Sequence, residues 1–126
     1  MKYFIAFSLT LLFAISLQAQ NEEFNPCEAE QNQMNMNACA KQRFDEADRD
    51  LNVAYRKLMR MVSGDFEEKI RATQRVWIKY RDQNCECARS IYDGGSIAPM
   101  ILLNCKQRMT EQRTAELTDL IEQLDM

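Results

Sequence analysis

Apolar residues recur at helical spacing in three stretches of the chain, separated by short polar turns. Such spacing of three and four residues places side chains on one face of an α-helix. The predicted inward faces are Phe44, Ala47, Leu51, Ala54, Tyr55, Leu58 and Val62 in the first helix; Phe66, Ile70, Thr73, Trp77, Tyr80 and Asn84 in the second; Leu102, Cys105, Met109, Leu117, Leu120 and Leu124 in the third. No stretch shows strand alternation, so the sequence predicts an all-α protein.

The turns between these stretches carry helix stop and start signals. In "SGD", Gly64 suits a left-handed helix end, and Asp65 with Glu68 resembles a capping box. In "YDGGSIAP", two glycines break the second helix, Ser96 is placed to cap the third, and Pro99 fits a first helical turn. Because short turns join antiparallel neighbours, we expect an antiparallel three-helix bundle.

The N-terminal part of the chain has a different character. Lys2 precedes an apolar run, and Leu17-Gln18-Ala19 fits the pattern of a signal-peptide cleavage site, so residues 1–19 are predicted to be a secretory signal peptide. Residues 20–37 are rich in Asn and Gln and are predicted to be an irregular segment before a helical domain over 38–126. We therefore expect a periplasmic or secreted protein that does not insert into the membrane after signal cleavage.

Composition removes several classes of function. The net charge is −3, which argues against nucleic-acid binding and suits a basic protein partner. The sequence has no histidine, which excludes His-based catalytic triads and the commonest zinc ligand. No pair of carboxylates is fixed for acid–base catalysis. We expect a binding protein that is not an enzyme and needs no metal or cofactor.

Height matching predicts which residues of the first two helices face each other. Across an antiparallel hairpin, residues at equal height have numbers with a constant sum. A turn centred on Gly64 and Asp65 pairs polar and aromatic positions, which we interpret as a structural polar network that includes a salt bridge between the helices. The three pairs are Asp48 with Arg81, Asn52 with Trp77, and Tyr55 with Gln74.

The five cysteines of a small exported chain are typical of disulfides. A second turn centred near Gly95 places Cys85 opposite Cys105, which makes this the preferred bridge. On a regular helix Cys85 and Cys87 lie about 80° to either side of Trp77, too far apart to bind one metal ion.

The partner of Cys39 is left open by these arguments. Cys87 lies at nearly matching height. The alternative, Cys27, would be about 18 Å away along a straight helix, so that bridge needs an irregular segment between the two cysteines.

Four segments, in order, resemble the LprI-type lysozyme-inhibitor domain from Cys27 to about Leu124. They are C-x11-C (Cys27, Cys39), AD-x2-LN-x2-Y-x2-LM (Ala47 to Met59), Q-x2-WIKYRD-x2-C (Gln74 to Cys85) and GGSI-x-P-x5-C-x4-T-x2-R-x3-L (Gly94 to Leu117, with Thr110 and Arg113). The resemblance implies an exported helical domain with four family cysteines. It favours the pairs Cys27–Cys39 and Cys85–Cys105 and leaves Cys87 over.

The same resemblance implies a function. The founding type inhibits lysozyme, so we expect a protein that binds a basic lysozyme and occludes it. The alternative is a general cell-envelope interaction or chaperone-like module with no lysozyme activity. Tyr92, Asp93 and Ser96, in a turn next to a predicted disulfide, form the candidate partner-binding loop, because a short constrained loop can enter a glycosidase cleft at low entropic cost.

Overall fold

The computed structural model describes residues 23–126, which form three helices: α1 Gln33–Met61, α2 Gly64–Ser90 and α3 Ala98–Leu124. The described part of the chain contains no strand, which confirms the predicted all-α bundle. Helix α2 is antiparallel to α1 and α3, and α3 packs against both of the others while α1 and α2 stay farther apart. The predicted signal peptide, residues 1–19, lies outside the described residues.

Helix α1 begins at Gln33, earlier than the predicted start near Ala38. The cause is a good N-cap: the side chain of Asn32 accepts a hydrogen bond from the backbone of Asn35 at 2.9 Å. Before it, Asn25 accepts a hydrogen bond from the backbone of Cys27 at 3.1 Å and bends the chain. The irregular N-terminal segment therefore ends at Asn32 and not at residue 37.

The two turns lack the side-chain caps that the sequence predicts for α2 and α3. Gly64 has φ +63°, the left-handed conformation that favours glycine, but it is already the first residue of α2. No side chain caps α2, so the predicted capping box of Asp65 and Glu68 does not form. Ile97 occupies the N-cap position of α3, Ser96 does not cap, and Pro99 stands in the first turn as predicted.

The apolar core lies toward the end of the bundle that contains the α1–α2 turn. Leu58 and Leu117 are 0% and 2% exposed, and they anchor a cluster to which all three helices contribute. Its buried members are Leu51, Ala54, Leu58, Ile70, Leu117 and Ile121, with Tyr55, Met59, Trp77 and Leu120 among the half-buried residues packed around them. Leu124, predicted to face inward, is 42% exposed because α3 ends there.

The buried face of α2 differs from the predicted one. Its buried residues are Ile70, Gln74, Arg81 and Cys85. Phe66 and Tyr80, predicted to face inward, are 43% and 58% exposed. The true face is rotated by about 60° around the helix axis. The prediction from helical spacing was wrong because it was built mainly on apolar side chains. The structure buries Gln74 and Arg81, which height matching had placed opposite α1 and whose hydrogen bonds compensate for burial.

Two disulfides fasten the end of the bundle opposite to that core. Cys85 bonds Cys105 and joins α2 to α3, and Cys27 bonds Cys39 and holds the N-terminal segment against α1. These are the two pairs that the family resemblance implies. Cys87 is free and exposed, so Cys39 does not pair with it.

Candidate functional site

The loop of residues 91–97 is the most exposed connection in the described chain. It joins α2 to α3 beside the Cys85–Cys105 disulfide. Ile91 is 79% exposed and Tyr92 is 43% exposed, so two large apolar side chains project into solvent at one tip. Asp93 and Ser96 are exposed as well. The three residues of the predicted partner-binding loop thus share one accessible surface.

Hydrogen bonds and an ion pair constrain the 91–97 loop. The backbone N–H of Gly95 donates to the carbonyl of Tyr92 at 2.9 Å, and Arg89 forms an ion pair with Asp93 at 2.9 Å. From α1, the Asn37 side chain donates to the backbone carbonyl of Ser96 at 3.0 Å. A loop that is ordered before binding loses less entropy on binding.

A second feature is a buried arginine on the middle of α2. Arg81 is 7% exposed, and its guanidinium group contacts side chains from all three helices. Its Nη1 donates to Asp48 of α1 at 3.4 Å and to the hydroxyl of Thr110 of α3 at 3.2 Å. The group also lies over the rings of Phe44 and Trp77, 5.3 and 5.2 Å from their centroids. We call these residues the Arg81 cluster.

Asp82 adds a second carboxylate to the Arg81 cluster. It accepts a hydrogen bond from Arg81 Nε at 3.0 Å and forms an ion pair with Lys106 at 3.3 Å. Burial alone would raise the pKa of Asp82, but the hydrogen bonds and positive charges of Arg81 and Lys106 outweigh it. They hold the pKa of this carboxyl below its usual value.

An open groove of about 410 Å³ separates α1 from α2. This α1–α2 groove exists because α3 packs between the other two helices on the opposite side and keeps them apart. Its lining includes five of the six residues of the predicted polar network and three arginines. The lining residues are Asp48, Leu51, Asn52, Tyr55, Arg71, Gln74, Arg75, Ile78 and Arg81.

The residues of the predicted polar network have different partners from those expected. Only Asp48 and Arg81 form their predicted pair. Asn52 is exposed and bonds within α1 to Asp48, while Gln74 accepts a hydrogen bond from Arg113 of α3 at 3.1 Å. Trp77 lies beneath both Arg81 and Arg113. Height matching finds residues at one level but cannot tell which of two neighbouring helices each side chain reaches.

Two other kinds of functional feature are absent from the described residues. No group of three or more Cys, Asp or Glu side chains within 23–126 is arranged to hold a metal ion. In the same range, no helix combines the length and apolar character needed to cross a membrane.

The match to known families agrees with this architecture. A family model described as "Lysozyme inhibitor LprI" matches residues 25–117. The chain belongs to the LprI lysozyme-inhibitor family. Among curated proteins, an uncharacterized protein of Rhizobium meliloti (strain 1021) is 35% identical to this chain, over 91% of this chain and 93% of the relative. No solved structure matches the chain.

The LprI match includes both disulfides, the 91–97 loop and the Arg81 cluster. The sequence-predicted polar network lacked three residues that contact its members: Phe44 and Thr110, which contact Arg81, and Arg113, which contacts Gln74 and Trp77. Phe44 was predicted only as an inward-facing apolar residue. A signal for two of them was available, because Thr110 and Arg113 belong to the motif C-x4-T-x2-R-x3-L that carries the LprI resemblance. Thr110 is fully buried, which is unusual for a hydroxyl and indicates a bonded partner.

Proposed function

We propose that this LprI-family protein is a non-enzymatic binding protein that inhibits a lysozyme by occluding it. The observation that carries the proposal is the family match over residues 25–117. The net charge of −3 supports it, because opposite charge speeds the encounter with a basic lysozyme.

The proposal includes a location outside the cytoplasm. The two disulfides support it, since such bonds persist in oxidising compartments. The signal peptide predicted from the sequence over residues 1–19 supports a periplasmic or secreted location.

The 91–97 loop is the proposed contact surface for the lysozyme. Tyr92 supplies an aromatic side chain of the kind that dominates binding energy at interfaces, and exposed Ile91 extends the apolar surface beside it. Asp93 and Ser96 add polar groups at the same tip. The internal bonds of the loop support this role because they reduce the entropy lost when it enters a cleft.

Inhibition of a basic lysozyme at stoichiometric protein tests the proposal. We expect tight binding that weakens as salt is added, because the attraction is partly electrostatic. The triple substitution of Tyr92, Asp93 and Ser96 by alanine should weaken inhibition by about tenfold or more. The matched control is Tyr80→Ala, which removes another exposed tyrosine from the middle of α2.

Two results would count against parts of this proposal. Full inhibition by the triple variant, with its helical content unchanged, would show that the 91–97 loop is not the contact surface. Absence of any binding by the folded wild-type protein would instead favour the general envelope interaction module.

A further inference from the structure

We propose that the α1–α2 groove binds a carboxylate carried by an acidic side chain of a peptide or protein. Such a site goes beyond lysozyme inhibition and does not depend on it, because the groove lies between α1 and α2 and the proposed inhibitory loop joins α2 to α3. At about 410 Å³ the groove is within the size range of small-ligand clefts.

The first observation is an amide donor of Gln74 that lacks a protein partner. Gln74 is 7% exposed, and Arg113 fixes its orientation by donating to Oε1 at 3.1 Å. Its Nε2 has no hydrogen-bond partner among residues 23–126. Every fully buried side-chain nitrogen or oxygen in this part of the chain does have one. The Nε2 group therefore reaches solvent, and the groove that Gln74 lines is the solvent next to it.

Arg81 adds a second donor of the same kind. It is also 7% exposed, and its Nε and Nη1 are engaged by Asp82, Asp48 and Thr110. Within the described chain its Nη2 has no hydrogen-bond partner, although Arg81 lines the groove. Two nearly buried side chains that line the groove thus each carry an N–H group that no described residue accepts and that a ligand in the groove could engage.

The rim of the groove supplies positive charge. Arg75 is exposed and forms no ion pair with any described residue, whereas Arg71 is already paired with Glu67. The one carboxylate that lines the groove, Asp48, is engaged by Arg81 and by the Asn52 side chain. Free donors and a free positive charge together favour an anionic ligand.

The ligand that best fits these donors is a single carboxylate on an apolar stem. Its two coplanar oxygens match a planar guanidinium group beside an amide N–H. Asp48 disfavours a more highly charged anion such as phosphate, because like charges repel at close range. Leu51, Tyr55 and Ile78 line the same groove and can pack against the methylene groups of a glutamate side chain.

NMR titration with two matched peptides tests the site. The probes are Ac-Gly-Glu-Gly-NH2 and Ac-Gly-Gln-Gly-NH2, which differ only in the carboxylate. We expect the glutamate peptide to shift the amide signals of Asn52, Gln74 and Arg75, and the glutamine peptide to bind about tenfold more weakly or not at all. Equal responses to both peptides, or no response to either at millimolar concentration, would overturn the proposal.

Three variants locate the site. Arg75→Gln should weaken binding of the glutamate peptide about threefold to tenfold. Arg108→Gln makes the same change at an exposed arginine of α3 outside the groove and should have no effect. Gln74→Glu keeps an acceptor for Arg113 but replaces the free donor by a negative charge, so it should abolish binding without unfolding the protein. Equal effects of Arg75→Gln and Arg108→Gln would contradict a defined site.

Titration with two other anions tests whether the groove prefers the carboxylate of an acidic side chain. Inorganic phosphate and N-acetylmuramic acid, a sugar that bears a carboxylate, are titrated under the same conditions. Weaker binding of both than of the glutamate peptide supports the proposal. Tighter binding of either would refute the assignment to an acidic side chain. None of these results changes with the outcome of the lysozyme assay.

Discussion

At the scale of single residues, Arg81 connects α1, α2 and α3 near the middle of the bundle. It is almost fully buried, yet its positive charge is balanced by Asp48 and Asp82, and its guanidinium group lies over the rings of Phe44 and Trp77. An arginine can do both because the guanidinium group is planar, carries several N–H donors and is weakly hydrated. A lysine offers neither the plane nor the fixed directions.

Substitution of Arg81 by alanine should therefore lower the free energy of unfolding by about 3 kcal/mol. The change leaves the buried Thr110 hydroxyl without its partner and removes both ring contacts. Urea unfolding followed by circular dichroism measures the effect. Arg81→Lys should be intermediate, and Arg108→Ala, at an exposed position, should change the free energy by less than about 0.5 kcal/mol. A loss at Arg81 as small as that at Arg108 would mean that the cluster does not stabilise the fold.

Asp82 makes part of this stability depend on pH. Its pKa is lower in the folded protein than the usual value of about 3.9 for an aspartate in an unfolded chain. The ionised carboxylate is therefore stabilising above that usual value, and this contribution is lost as pH falls through the folded pKa. The effect is modest because the side chain is 43% exposed to screening solvent.

Asp82→Asn should accordingly reduce stability at pH 7 and have less effect as the pH falls below about 4. Urea unfolding of wild type and variant across this range measures the gap between them. Asp119→Asn is the control, since Asp119 is exposed and has no ion pair among the described residues. A gap between Asp82→Asn and wild type that stayed constant down to pH 3 would contradict the proposed role of the ionised carboxylate.

At the scale of helices and their connections, the two disulfides fasten different parts of the fold. Cys85 and Cys105 are 20 positions apart in the sequence, and their bridge joins α2 to α3 next to the 91–97 loop. Cys27–Cys39 spans 12 residues and holds only the N-terminal segment to α1. A bridge stabilises mainly by restricting the unfolded chain, and more so for longer loops.

Replacement of Cys85 and Cys105 by alanine should thus cost about 3 kcal/mol of unfolding free energy. Replacement of Cys27 and Cys39 should cost less, and the loss should be concentrated in the N-terminal segment. Hydrogen exchange combined with urea unfolding distinguishes a global from a local loss. Equal global effects would show that the N-terminal segment is integrated into the bundle more tightly than its contacts indicate.

How far the helices could be predicted depends on what each residue contacts. Helical spacing located all three helices, and the height argument placed Cys85 opposite Cys105 and Asp48 opposite Arg81 correctly. Helical spacing did not find the inward face of α2, because that face contains buried polar groups, Gln74 and Arg81, whose partners lie on other helices. Gln74 is buried with its Oε1 accepting a hydrogen bond from Arg113 of α3, and no pattern within α2 records that contact.

At the scale of the whole molecule, α3 is the element around which the others are arranged. It packs against both other helices, and its Leu117 and Ile121 meet Leu51, Leu58 and Ile70 in one cluster. Because α3 keeps α1 and α2 apart, it also creates the α1–α2 groove on the other side. The central position of α3 thus accounts for both the core and the open surface.

Substitution of Leu117 by alanine should for this reason destabilise the entire bundle, by about 2 to 5 kcal/mol. Leu117 is 2% exposed, so its truncation creates a cavity where the three helices meet. That cavity cannot close without moving α3. Leu124→Ala removes the same atoms from a 42% exposed position at the helix end and should cost much less. Unfolding is followed both by Trp77 fluorescence and by circular dichroism. If Leu117→Ala shifted only one of the two transitions, the bundle would not be a single cooperative unit built on α3.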